Sequence, residues 1–340
     1  MLRVCVIGMG HIGNIHASAY YENPNTELVG VCDLRQDRAE AAGKKFDVPY
    51  YLDAATMLKE LKPDMCSVST GGSEYSSDHF APTIQALEAG CHVLCEKPIS
   101  NDLNNARKMV ETAKKLDRCF AIDMNHRFTQ AAYHAKRWQN EGKIGELLFC
   151  NMALWIGKPD TNLDTEYYHL KALNPHSVDI MRHFMGDVDE VSCFAMKSSG
   201  RFIYSTASIN MKFKCGAVGH LTSSYDITRG HPMERCEVAG INGRLIFEDM
   251  WREATLYPAG NPVKEVFTNP VFGDHHRDFG DTFRNRIFAF IEEVKNGVKP
   301  SDINGSGLDG LKAQTVIHSA IESLRAGGKP IKVDECTFMK

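Results

Sequence analysis

Leu2-Arg3-Val4-Cys5-Val6-Ile7-Gly8-Met9-Gly10-His11-Ile12-Gly13 opens the chain. A short run rich in β-branched and apolar residues meets three glycines spaced G-x-G-x-x-G, and a helix-like stretch over residues 11–22 follows at once. Strand, glycine turn and helix in that order form the first half of a βαβ unit. The first glycine allows a tight turn, the second lets a pyrophosphate approach the backbone, and the third lets helix and strand close on each other. The N–H groups at the start of the helix then face the phosphates. A second strand at 28–32 ends at Asp33, about 20 residues after the glycines, where a carboxylate can accept hydrogen bonds from ribose hydroxyls. Gly8, Gly10, His11, Ile12, Gly13, Asp33, Leu34 and Arg35 are therefore candidate dinucleotide contacts. Asp33 would repel a 2′-phosphate, so NAD is the expected cofactor; Arg35 could pair with that phosphate and leaves NADP open.

Outward from this stretch the pattern repeats. Helix-like 36–45 is followed by strands at 65–69, 92–95 and 120–123, with helices at 81–89 and 103–115 between them. Such alternation predicts a parallel sheet covered on both faces, wound right-handedly into a Rossmann domain over 1–123. Beyond residue 124 the texture changes. Strands are expected at 147–155, 191–196, 204–211, 216–224, 235–239 and 244–247, several of them alternating apolar and polar residues, with closing helices at 283–296 and 308–326. The fold class is α/β: a doubly wound parallel sheet plus an α+β domain over 124–340 built on a large, mainly antiparallel open sheet.

Composition narrows the function. The 340 residues are 43% apolar and 24% charged with a formal net charge of -4, which gives no electrostatic reason to expect nucleic acid or an anionic membrane. No run approaches the roughly 18 apolar residues of a membrane span, and no signal peptide is visible. The 11 cysteines are odd in number and include no C-x-x-C pair; they suit a reduced, cytoplasmic compartment. His275-His276 has no accompanying carboxylate framework, so no metal is expected.

Glu96-Lys97-Pro98, preceded by Ala86-Leu87-Glu88-Ala89-Gly90-Cys91-His92-Val93-Leu94-Cys95, closely resembles the Gfo/Idh/MocA family, named for glucose–fructose oxidoreductase and inositol dehydrogenase. Asn125-His126-Arg127-Phe128 resembles that family's N-x-R-F segment, and Asp309-Gly310 its C-terminal region. The resemblance implies NAD(P)-dependent oxidation or reduction of sugars or cyclitols, and a second-domain sheet that often forms a homodimer or homotetramer. It implies that Lys97 contacts both nicotinamide and substrate. Ser69, Thr70, Gly71, His79, Glu96, Asn125 and Arg127 join the cofactor contacts, and Asn125, Trp155, Lys158, Tyr168 and His169 the substrate contacts, with Tyr167 beside them.

The family's second signature, Asp-x-x-x-His-x-x-Asp, reads here as Ala172-Leu173-Asn174-Pro175-His176-Ser177-Val178-Asp179. Asn174 suits an N-cap and Pro175 the first helical position, which puts His176 in a first helical turn and Asp179 on the same face to orient it. His176 is the candidate general base, with Lys97 and Asp179 completing the catalytic set. Ala172 departs from the family pattern, because it can accept no proton; Asp164, Glu166, Tyr168 or His169 could supply the missing group. A second departure is the stretched loop from Thr70 to His79. The expected reaction is hydride transfer at a carbinol of a ring. Two rivals remain: a binding or regulatory protein that has lost turnover, and an enzyme using transient oxidation to cleave a glycosidic bond.

Overall fold

The computed structural model describes residues 1–72, 77–160, 165–228, 233–249, 252–269 and 279–334. Asp164, His275-His276 and the middle of the loop between Thr70 and His79 lie outside these residues. The chain forms two compact units: Met1–Asp123 with Phe283–Leu311, and Met124–Thr282 with Lys312–Lys340.

The first unit is the doubly wound sheet. In chain order it runs β1 (Leu2–Ile7), α1 (His11–Glu22), β2 (Thr26–Cys32), α2 (Gln36–Phe46), β3 (Tyr50–Tyr51), α3 (Ala54–Leu61), β4 (Met65–Val68), α4 (Phe80–Glu88), β5 (His92–Cys95), α5 (Leu103–Lys115) and β6 (Phe120–Ile122). Strand order is β3-β2-β1-β4-β5-β6, with every neighbour parallel. Such strands are buried on both faces and read as continuous apolar runs, which is what Val4, Val6, Val31, Val93 and Leu94 show. Order reverses between β1 and β4, so ligand is expected at the carboxyl ends of those strands.

The second unit begins with a 3-10 turn, Asn125–Phe128, then α6 (Gln130–Asn140), β7 (Leu147–Trp155), α7 (Tyr168–Met185), β8 (Val188–Met196), β9 (Thr206–Phe213), β10 (Val218–Ser224), β11 (Glu234–Gly240), β12 (Gly243–Glu248), β13 (Glu253–Pro258) and β14 (Glu265–Thr268). A nine-stranded sheet in the order β14-β13-β12-β11-β7-β10-β9-β8-β15 takes its last strand from Ile331–Lys332. Its neighbours are antiparallel except β7 and β10.

Helix α8 (Gly280–Lys295) carries the chain back into the first unit, where a single boundary after residue 123 does not place it. The reason is its apolar face. Ile287, Phe290 and Ile291, with Ile303 beyond, are buried among Val4, Val6, Tyr20, Leu28, Met65 and Leu94. Each such side chain contributes about 1.5–3 kcal/mol on burial. Arg286 is buried with them and donates to the carbonyls of Ile122 at 3.1 Å and Gly305 at 3.3 Å. Helix α9 (Gly307–Arg325) then returns the chain to the second unit at Lys312.

Candidate active site

In the first unit the glycine turn sits where the sheet order reverses. Gly8 has φ +94°, and a Cβ there would lie 2.6 Å from the Thr70 nitrogen and 2.7 Å from the Ser69 carbonyl. A Cβ on Gly13 would meet the Gly8 oxygen at 1.8 Å. Both positions therefore need glycine. Gly10, the N-cap of α1, is different: an added Cβ would meet only an Arg38 nitrogen, at 3.8 Å, and no side chain caps the helix. Open space over uncapped N–H groups, with Met9, His11 and Ile12 around it, is a cradle into which a pyrophosphate fits.

Asp33 follows β2 and is nearly buried. Its Oδ2 accepts from the Met9 N–H at 2.7 Å and its Oδ1 from the Arg35 N–H at 2.8 Å. Those bonds aim the carboxylate and leave each oxygen a further lone pair for a ribose hydroxyl. The Arg35 guanidinium turns to Asp37, with contacts of 3.1 and 2.6 Å, so an acid already engages the cation that left NADP open. Leu34, beside it, is exposed.

Lys97 follows β5 at the same edge of the sheet. Its N–H donates to the Glu96 carboxylate at 3.1 Å, and the Lys97–Pro98 peptide bond is cis. His79 at the head of α4 ties this turn to the next loop: its ring nitrogens lie 2.7 Å from the Pro98 carbonyl and 2.9 Å from that of Thr70. His79 thus clamps Thr70 and Pro98 together. Ser69 is buried beside Gly8, with Gly71 half-buried beyond Thr70.

Beneath the turn lies a buried triad. His16 Nε2 is 3.2 Å from Glu96 and 3.1 Å from Asp123, and its Nδ1 is 2.7 Å from the Ser67 hydroxyl. Burial alone would lower the imidazole pKa, but hydrogen bonds to Asp123 and Glu96 win and raise it to about 9. Burial, together with the charge of Glu96, raises the Asp123 carboxyl to about 6, while His16 holds Glu96 below its ordinary value against burial. A cation shared by two carboxylates fixes Glu96, and Glu96 fixes the Lys97 backbone.

In the second unit, α7 runs unbroken from Tyr168 to Met185 with Pro175 inside it. Asn174 is therefore not its N-cap, and His176 lies mid-helix rather than in a first turn. Leu170 before the proline is buried, as are Val178, Ile180, Met181 and Phe184 after it, and this packing outweighs the lost backbone bond. Asp179 forms a bidentate ion pair with Arg127, one arm 2.8 Å long, binding α7 to the 3-10 turn. Asn125 is buried and donates to the Thr282 hydroxyl at 2.8 Å.

Around the start of α7 the Lys158 ammonium donates to the Tyr168 hydroxyl at 2.7 Å, and Trp155 ends β7 half-buried. Ala172 packs with Leu173 and Ile156 against Tyr168, Ile203 and Tyr225. His169 is fully buried, its ring centroid 4.8 Å from that of Tyr225. Burial outweighs the neighbouring Tyr204 backbone and lowers its pKa to about 4, so its imidazole is neutral at physiological pH. Glu166 pairs with Lys197, and Tyr167 stacks on Tyr204.

The family description "Oxidoreductase family, NAD-binding Rossmann fold" matches residues 2–124, and "GFO/IDH/MocA C-terminal domain" matches 133–246. The chain belongs to the Gfo/Idh/MocA oxidoreductases. It is 28% identical to a myo-inositol 2-dehydrogenase of Thermotoga maritima over 98% of this chain and 99% of that one. It is also 38% identical to a D-glucoside 3-dehydrogenase of Escherichia coli over 43% of this chain, a match spanning 41% of the E. coli protein. A levoglucosan dehydrogenase solved with NADH and levoglucosan shares the fold, with TM-score 0.86 and 18% identity over 98% and 99% of the two chains. The first unit of this Gfo/Idh/MocA chain is thus an NAD-binding domain, and the chain an NAD-dependent oxidoreductase. Among the described residues no helix is long and apolar enough to cross a membrane.

Four buried groups of the Gfo/Idh/MocA chain were not singled out from sequence: His16, Asp123, His126 and Glu234. The available signal was a titratable residue at an inward position of a periodic element. His16 lies on the packed face of α1 with Gly13, Ala17 and Tyr20, and Glu234 begins a strand whose alternate residues Cys236 and Val238 are core.

Proposed function

We propose that this protein moves a hydride between NAD and a hydroxyl-bearing ring carbon of a sugar, sugar derivative or cyclitol. The observation that carries this reading is the lysine turn at the carboxyl edge of the parallel sheet. There Lys97 is anchored through Glu96 on a buried cation, in the same unit as the glycine cradle and Asp33. Full-length likeness to a myo-inositol 2-dehydrogenase supports a cyclitol or sugar as substrate class.

When bound, NAD supplies the hydride acceptor or donor. Lys97 hydrogen-bonds the reacting oxygen and steadies its developing negative charge. His176 takes the hydroxyl proton in oxidation and returns it in reduction. Asp179 and Arg127 hold the helix that carries His176, and Asn125, Trp155, Lys158 and Tyr168 orient a polyol through amide, aromatic, ammonium and phenol groups. Asp33 selects NAD over NADP. The setting is cytoplasmic and the chain a homo-oligomer, paired through exposed apolar residues of the large sheet such as Leu148, Phe194, Met196 and Val218.

The test is NADH formation by the purified protein with NAD and a panel of inositols, aldoses and glycosides. Substrate-dependent NADH is the expected result. Aglycone release without NADH accumulation would instead identify the redox-neutral cleavage chemistry. Dinucleotide binding with no turnover on any member would identify the binding protein.

A further inference from the structure

His16 is fully buried on the packed face of α1, and Glu96 and Asp123 both meet its Nε2. The two carboxylates come from neighbouring strand ends of the parallel sheet, Glu96 after β5 and Asp123 after β6. Ionised carboxylates only accept, so the proton between them and Nε2 belongs to the imidazole. On the other side of the ring, Nδ1 meets the Ser67 hydroxyl at the inner end of β4. Asp123 Oδ1 is buried and, among the described residues, has no hydrogen-bond partner. What offsets the Asp123 charge is its bond to His16, together with the charges of His16 and Arg286.

Glu96 faces two ways. Its Oε1 meets His16 at 3.2 Å, and its Oε2 accepts the Lys97 N–H at 3.1 Å. A second tether holds the same turn, since His79 reaches the Pro98 carbonyl at 2.7 Å. Of the two carboxylates, Glu96 is the nearer to solvent: its side chain is 9% exposed and that of Asp123 0%. Were His16 to lose its charge, two like charges would face a neutral ring, and Glu96 is the one with a way out. An outward turn of its carboxylate takes Oε2 off the Lys97 N–H.

We propose that His16 and Asp123 are positioning residues for Lys97: the proton they share with Glu96 keeps its carboxylate on the Lys97 N–H, and losing that proton releases the turn. The bond broken is the imidazole N–H, and its proton goes to solvent. This deepens the reading of Lys97 as the group at the reacting oxygen and rests on it. Other titratable or charged groups around the triad are Tyr20 on α1, Cys95 on β5, Lys97 and His79 beside Glu96, and Arg286 on α8. Burial pushes the Tyr20 phenol and the Cys95 thiol well above their ordinary values, so both stay protonated where His16 titrates.

The experiment reads the Glu96–Lys97 peptide bond by NMR in the full-length protein. Glu-Lys occurs once in the sequence, so carbonyl-carbon-13 glutamate with nitrogen-15 lysine gives a single carbon–nitrogen correlation peak. In the wild type that peak should move as pH rises through about 9, where His16 loses its proton. Asp123→Asn removes one carboxylate from His16 and should lower the midpoint by roughly one pH unit or more. His16→Gln should displace the peak at neutral pH and abolish the movement; Asp123→Asn decides the matter alone if His16→Gln does not fold. A movement that belongs to Lys97 or Cys95 keeps its midpoint in both variants and overturns the proposal, as does a peak that stays still in the wild type. In turnover, His16→Gln should lose on the order of ten- to a hundredfold in kcat with NADH affinity unchanged, the scale of a misplaced catalytic group. A loss of NADH affinity with kcat kept overturns the proposal. A wild type silent in the NADH assay counts against the enzymatic reading alone, because the peak is read without turnover.

Discussion

Asp33 receives the Met9 and Arg35 N–H groups on its two carboxylate oxygens, and in the proposed function the same carboxylate holds the ribose. Asp33→Ala should therefore weaken NAD binding by on the order of ten- to a hundredfold, the loss of a charge-assisted hydrogen bond. It should also narrow the preference over NADP; NADH fluorescence titration with both dinucleotides reads this. Gly13→Ala should cost about 3 kcal/mol or more, because the added carbon and the Gly8 oxygen occupy the same space; chemical denaturation measures it. The residues legible in sequence were those carried by a compact motif: the three glycines with Asp33 after the next strand, and Lys97 in its own tripeptide. The two buried networks were not legible, because they join positions far apart. His16 and Asp123 are 107 residues apart, and His126 and Glu234 are 108. Nothing local to either member announces the other.

At the scale of elements, α7 shows where local rules yield to packing. Asn174-Pro175 carries a strong helix-start signal, yet the helix begins at Tyr168 because Leu170 and its neighbours find a core to enter. Helices α1 and α5 were readable from sequence with correct ends. The two-residue strand β3 and the short helix α3 were not, since neither holds enough residues to show a period. Helix α7 also carries a prediction. Ala172→Asp restores the family residue but puts a carboxylate among Tyr168, Ile203 and Tyr225. It should lower stability by about 1–3 kcal/mol without raising kcat, which thermal unfolding and steady-state kinetics report together.

The whole molecule is organised by a chain that leaves the Rossmann unit at Met124, re-enters it at Phe283 and leaves again at Lys312. Its first core is incomplete without α8, so Phe290→Ala should cost about 3–5 kcal/mol although it lies far along the sequence from the glycine turn. The His16 triad makes stability depend on pH. Its folded pKa of about 9 exceeds the unfolded value of 6.5, so its contribution is complete below about pH 6.5 and is lost as pH rises towards 9. Tm should fall between neutral pH and pH 9 or so, and His16→Gln should remove that slope while lowering Tm at neutral pH.

The central claim is that Lys97 and His176 serve one NAD-dependent oxidation of a polyhydroxylated ring. The most direct measurement is NADH formation across inositols, aldoses and glycosides by wild type, Lys97→Ala and His176→Ala, each checked for folding and NADH binding. The account predicts turnover with NAD in the wild type and a loss of 10²-fold or more in kcat for each variant, the scale of acid–base catalysis, with NADH binding retained in His176→Ala. Wild-type turnover that survives His176→Ala unchanged would contradict it.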